Sequence, residues 1–163
     1  MGGPRPIAYT PFGELVVFVF FGLLAVAGAD YVQTGSVGPT TWLAAVALGG
    51  LAASALAVNN HRDVAHDRSV GRRTFAVIFG TQASLAMYTL SIAGAFALLL
   101  PMAWLSSPAL LTPMVLAPVA LRLQRDFVRC MPGLAYNRIL VRTFKLELAF
   151  AALLAAGAVL GRL

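Results

Sequence analysis

Residues 41–58 and 84–105 carry no charged side chain, and that absence limits what the chain can fold into. A bilayer core is crossed by about 20 helical residues, usually about 17–25, and both stretches reach that length. Three further apolar blocks flank them. The first covers residues 15–29 and extends back to Phe12. Another, at 108–121, is short and broken by Pro113 and Pro118. The last, at 148–160, continues backwards as a mixed helix through Arg142 and Lys145. These three need borrowed flanking residues to span a bilayer, which suits a packed bundle better than lone anchors. Barrel strands would alternate apolar and polar residues, and the blocks here are continuously apolar.

Composition agrees. Sixty per cent of the residues are hydrophobic and 11% are charged, against about 45–50% and about 25% in soluble domains. The mean hydropathy of +0.83 leaves lipid as the main solvent. The expected fold is all-α: a polytopic membrane bundle of five transmembrane helices in one domain over residues 1–163, with spans near 12–30, 41–60, 82–105, 108–123 and 140–161. In the second block the small residues Gly49, Gly50, Ala52, Ala53, Ser54 and Ala55 predict close backbone approach.

Five spans place the N-terminus and the second and fourth loops on one side. That side collects Arg5, Arg62, Arg68, Arg72, Arg73, Arg122, Arg125, Arg129, Arg138, Arg142 and Lys145, while the other holds Arg162. The positive-inside rule then puts the N-terminus in the cytoplasm and the C-terminus opposite, in a multi-pass protein of the cell inner membrane. The net charge of +6 is thereby a topology signal, and no nucleic-acid partner is expected. Residues 1–11 hold one arginine and no apolar core, so they predict a loop and no signal peptide. Cys130 has no partner cysteine, which argues against a disulfide-stapled secreted protein. It reads as an inert thiol near the interface. Trp42 and Trp104, near span ends, read as interface anchors.

The second loop is the richest in chemistry. If the helix of the second block continues past Val58, Asp63 and Asp67 stand four residues apart on one face, with Asn59 and Asn60 about one turn earlier. Two such carboxylates repel unless a cation lies between them. Magnesium takes one or two carboxylates plus phosphate oxygens, and nearby arginines add donors suited to phosphate. The same spacing also occurs in a merely solvated, topology-setting loop, so on spacing alone both readings stand. His61 and His66 are five residues apart, off-register for a shared zinc site. Arg138, Arg142 and Lys145 share a helix face and read first as snorkelling anchors.

The string NNHRDVAHDRSVGRRTFAVIFG at residues 59–80 closely resembles the second aspartate-rich motif of the UbiA-type intramembrane prenyltransferases. It is most similar to the 1,4-dihydroxy-2-naphthoate polyprenyltransferases of menaquinone biosynthesis (the MenA family), whose pattern runs roughly NNxRDxxxDxxxGKxTLAVxxG. Asn59, Asn60, Arg62, Asp63, Asp67, Gly71, Thr74, Ala76, Val77 and Gly80 stand in register; Arg72 and Phe75 replace the usual lysine and leucine. Residues 2–22 and 138–157 resemble the opening and the last helix of the family's C-terminal half. The resemblance therefore implies half of a nine-helix fold, without the first motif, NxxxDxxxD.

It further implies that Mg²⁺ bridges the aspartates and the diphosphate of a polyprenyl donor, and that an aromatic acceptor, dihydroxynaphthoate, captures the allylic cation. By carry-over Asp63 and Asp67 are the catalytic metal ligands, supported by Asn59 or Asn60. Arg62, Arg72, Arg73 and Lys145 contact diphosphate. With only one carboxylate cluster, the chain alone is expected to be inactive or incomplete, and a separate chain carrying the N-terminal half is an expected partner. Other readings are a prenyltransferase for 4-hydroxybenzoate and a non-catalytic membrane fragment. A CDP-alcohol phosphatidyltransferase needs a DGxxAR run, which the sequence lacks.

Overall fold

The structure, a computed structural model, describes residues 6–130 and 135–161. Arg5 and Arg162, which enter the charge split, and residues 1–4 of the expected N-terminal loop lie outside the described residues. Every regular element among the described residues is helical. Helix α1 runs Gly13–Thr34, its middle stretch Phe18–Ala27 wound with the wider π pitch. Helix α2 runs Pro39–Arg62, the short α3 Val64–Ser69, and α4 Phe75–Leu105. A 3₁₀ segment, Pro108–Leu116, leads into α5, Ala117–Arg129, and α6 runs Ala135–Leu160.

Local chemistry sets the boundaries. Gly35 ends α1 at φ +75°, donating its N–H to Tyr31 O at 2.8 Å, the left-handed cap that glycine adopts without steric cost. Pro39 then opens α2 at its first turn, where a missing N–H costs nothing. The hydroxyl of Thr41 donates to Asp30 Oδ2 at 2.6 Å and ties the two helix ends together. Helix α4 is interrupted at Leu98, three residues before Pro101, whose ring excludes the carbonyl one turn back.

Four of these helices, α1, α2, α4 and α6, are long and apolar enough to cross a membrane. The segment expected as another span, 108–123, is not one continuous α-helix. Pro108 and Pro113 wind its first part as 3₁₀ helix, and Arg122, Arg125, Asp126 and Arg129 make the end of α5 polar. Its apolar part is still long: at about 2.0 Å per 3₁₀ residue and about 1.5 Å per α residue, residues 108–121 reach about 26 Å. The protein is a multi-pass helical bundle.

Helix α2 lies at the centre, packed against α1, α4 and α6. Its small side chains permit this. A Cβ on Gly22 of α1 would lie 2.5 Å from Ala45 O and from Gly49 Cα, so two glycines face each other across a backbone-to-backbone seam. Gly157 of α6 meets the 3₁₀ segment as tightly, since an added Cβ would lie 2.3 Å from Ala109 O; Thr112 Oγ1 is 2.8 Å from Leu153 O at the same crossing. Tyr88, Phe127, Phe150, Leu51, Leu99 and Leu123 fill the core between α2, α4, α5 and α6. Outward, Phe20, Leu90, Trp104 and Leu148 are exposed, which suits contact with lipid.

Within a membrane no hydrophobic drive joins helices, and close van der Waals contact must do so. Gly22→Ala is therefore expected to destabilise the protein by about 1–3 kcal/mol, the usual range for overpacking. Gly28→Ala, on the same helix with nothing within 4 Å of the new methyl, is expected to leave stability unchanged. Thermal unfolding of both variants in one detergent decides the matter; equal melting temperatures would contradict the seam.

Candidate functional site

The polar end of α2 is built around Arg62. Its Nε donates to Asp63 Oδ1 and its Nη2 to Asp63 Oδ2, both at 2.7 Å, a two-pronged grip on the neighbouring carboxylate. The same guanidinium reaches Asn59 Oδ1 at 2.9 Å and, through Nη1, Asn137 Oδ1 at 2.6 Å. Asn137 belongs to the first turn of α6, so one arginine fastens the end of α2 to the start of α6. The hydrogen bond from Arg62 holds the Asp63 carboxyl below its ordinary pKa, against the opposing effect of its partial burial.

The helix does continue past Val58, as far as Arg62. It breaks at Asp63, where φ is −95° and ψ is 6°. The i to i+4 relation survives, because Asp67 N donates to Asp63 O at 2.8 Å, but the carboxylates have different partners. Asp67 is buried, with Oδ1 3.1 Å from Arg72 Nη1 and Oδ2 3.5 Å from the Thr74 hydroxyl. Gly71, at φ +74°, turns the chain so that Arg72 N also donates to Asp67 O at 2.8 Å. Gly80, at φ +86° and ψ 166°, kinks the start of α4 in a conformation essentially reserved for glycine. These glycines of the 59–80 string shape the backbone.

The remaining candidates divide. Asn59 is half-buried within the cluster. Asn60 is buried and turned towards α1, donating to Glu14 Oε1 at 2.9 Å. Arg72 lies over the Tyr9 ring at 5.3 Å, and Arg73 is exposed, its N–H on Tyr9 O at 3.2 Å. Lys145 is exposed on the α6 face that carries Arg138 and Arg142 and is not brought into the aspartate cluster; Arg142 pairs with Asp126. His61 packs its ring against Phe127 and Tyr136, at 4.9 and 5.4 Å, whereas His66 is exposed.

An apolar groove of about 790 Å³ opens between α1, α2 and α6. Val17 and Phe21 line it from α1, Leu48, Ala52 and Leu56 from α2, and Leu140, Phe144 and Leu148 from α6. Asn59 belongs to both places: it lines the groove and accepts from Arg62. A ligand with an apolar tail and an anionic head thus finds lipid-like walls leading to arginine and carboxylate.

A family model described as the UbiA prenyltransferase family matches residues 6–146. The chain belongs to that family. It is 40% identical over 123 residues to the 1,4-dihydroxy-2-naphthoate octaprenyltransferase of Mycobacterium tuberculosis, covering 74% of this chain and 41% of that protein. It is 33% identical over 145 residues to the Escherichia coli protein of the same name, covering 88% and 47%. Identity to UbiA prenyltransferase domain-containing protein 1 of Xenopus tropicalis is 33% over 140 residues, covering 86% and 39%. The chain spans less than half the length of these curated relatives. No solved structure matches it.

In this UbiA-family chain the side chains of Asp63, Asp67 and Asn59 are of the kind that suits magnesium: two carboxylates and an amide, all hard oxygen ligands. Among the described residues no three His, Cys, Asp or Glu side chains form a group that could hold a metal ion, so any metal here needs further ligands from outside these side chains. Sequence reasoning passed over Glu14, Tyr9 and Asn137, which the fold brings to this end of the UbiA-family bundle. Glu14 alone had a sequence signal, a carboxylate at the edge of an apolar block.

Arg62→Gln removes the charge-assisted link to Asn137, and such bonds contribute about 1.5–3 kcal/mol when buried. At this half-exposed position about 1 kcal/mol is expected. Hydrogen exchange should quicken in the first turns of α6, and unchanged protection there would show that the link does not hold the helix.

Proposed function

We propose that this chain supplies one carboxylate cluster and much of the lipid-facing groove of a magnesium-dependent aromatic prenyltransferase. Its reaction would transfer a polyprenyl group from polyprenyl diphosphate to 1,4-dihydroxy-2-naphthoate, as the names of its relatives suggest. The observation that carries this reading is the continuity at Asn59 between apolar groove and polar cluster. The prenyl tail lies along Phe21, Leu56 and Phe144, while its diphosphate meets Arg62, with Arg72 and Arg73 nearby. Asp63 and Asp67, with Asn59 or Asn60 in support, hold the metal.

When bound, magnesium neutralises the charge that develops on the departing diphosphate. The chain's own residues orient the head group at the membrane boundary and keep water from the reacting carbon, a function of the apolar walls. Arg62 is held in place by Asn59 and Asn137, so its guanidinium is ordered before substrate arrives. In this reading the arginine-rich end faces the cytoplasm and the protein sits in the cell inner membrane. A facing carboxylate cluster comes from a further polypeptide segment, such as a separate N-terminal half.

Membranes containing this chain alone, given polyprenyl diphosphate, Mg²⁺ and dihydroxynaphthoate, are expected to form no detectable prenylated product. Supplying a segment with the NxxxDxxxD motif should restore it. In that complemented enzyme Asp63→Asn or Asp67→Asn should lower turnover by about 10²–10³-fold, the usual effect of losing a principal electrostatic group. Robust product from the chain alone would overturn the need for a second cluster, and full activity in both variants would leave a non-catalytic fragment as the better reading.

A further inference from the structure

The groove has one feature that a channel for a hydrocarbon tail does not need. Glu147 of α6 stands in its wall, among residues that are otherwise apolar apart from Asn59. Its carboxylate makes no hydrogen bond or ion pair with any described residue, and it is only half-buried, so it opens to the groove. Ionisable side chains inside membrane spans are rare and mark ligand or ion pathways by default. The contact of Arg62 with Asn137 sets α6 level with the end of α2. Ten residues along α6, at about 1.5 Å each, place Glu147 about 15 Å inward from that contact. That depth is opposite Ala52 and about two helical turns below Asn59.

We infer that Glu147 binds the acceptor, accepting a hydrogen bond from a hydroxyl of the aromatic ring. The inference rests on the prenyltransferase reading and assigns its second substrate a place. A diphosphate held at Asn59 and Arg62 puts the reacting carbon of the prenyl chain just inside the groove, so the aromatic ring must lie beside it, deeper than the arginines. A hydroxynaphthoate is itself an anion. Electrostatics fixes its direction: the carboxylate turns towards Arg62 and the basic rim, and the far hydroxyl turns inward to Glu147. A group built to pair with a hydroxyl rejects an analogue lacking it far more strongly than an apolar wall does.

The experiment measures binding, under anaerobic conditions, of 1,4-dihydroxy-2-naphthoate and of 1-hydroxy-2-naphthoate to the chain complemented by a segment with the NxxxDxxxD motif, in lipid nanodiscs. The wild-type chain is expected to prefer the dihydroxy compound at least about tenfold, and Glu147→Leu to bind the two within about twofold of each other. Glu147→Gln, which keeps an acceptor oxygen and the side chain's size, should retain part of the preference. Equal preference in the wild type and Glu147→Leu, or no acceptor binding by the wild type, overturns the inference. Magnesium-dependent binding of farnesyl diphosphate is measured in the same samples. Its presence in the wild type and both variants shows that the donor site stands whatever Glu147 does, and its absence from the wild type strikes at the prenyltransferase reading instead.

Discussion

The contact of Gly22 with Gly49 sets the distance on which the rest of the bundle depends. In lipid, apolar side chains gain nothing by leaving solvent, so helices stay together only where their backbones come close enough for dispersion to accumulate. A methyl at either glycine would strike main-chain atoms within 3.0 Å. Because α1 lies so tightly on α2, and Gly50 brings Ser91 of α4 near on the other side, α2 becomes the shared inner wall of the protein. Everything polar that follows α2 in sequence is carried to the middle of one end of the bundle.

That placement explains how a helix terminus becomes a candidate site. Asn59, Asn60, Arg62 and Asp63 occupy the last turn of α2 and the break after it; Arg62 gathers Asn59 and Asp63, and the cluster reaches out to other elements through Asn60, Arg62 and the nearby Asp67. Asn60 turns to Glu14 of α1, Arg62 to Asn137 of α6, and Asp67, on the following short helix, to Thr74 at the start of α4. One polar end therefore reads the positions of three helices at once. The groove between α1, α2 and α6 opens directly beneath it, so the distance from the polar cluster to the apolar walls is set by helix geometry.

The charge pattern and the membrane class were legible because each depends on composition over many residues. The 59–80 string was legible for another reason: its residues act through contacts within a few positions of one another, as Asp67 does with Arg72 and Gly71 does in the turn between them. Contacts over long separations were not. Glu14 and Asn60 are 46 residues apart and Arg62 and Asn137 are 75 apart, and nothing in the local pattern of either partner names the other. The proline-bearing segment 108–121 reads as apolar and broken, which it is, but its close crossing with Gly157 and Leu153 of α6 has no signal in its own residues.

Sequence by itself determined the solvent, the helical class and the family, because uncharged length, basic asymmetry and a contiguous motif are properties of the chain before it folds. Only the tertiary structure decided which carboxylate meets which arginine, that the helix breaks at Asp63, and that Glu147 opens into the same groove as Asn59. The reason is physical. Hydropathy is additive along a sequence, whereas the surroundings of a single carboxylate depend on which backbones lie close beside it, and that was settled by glycines far away in the chain.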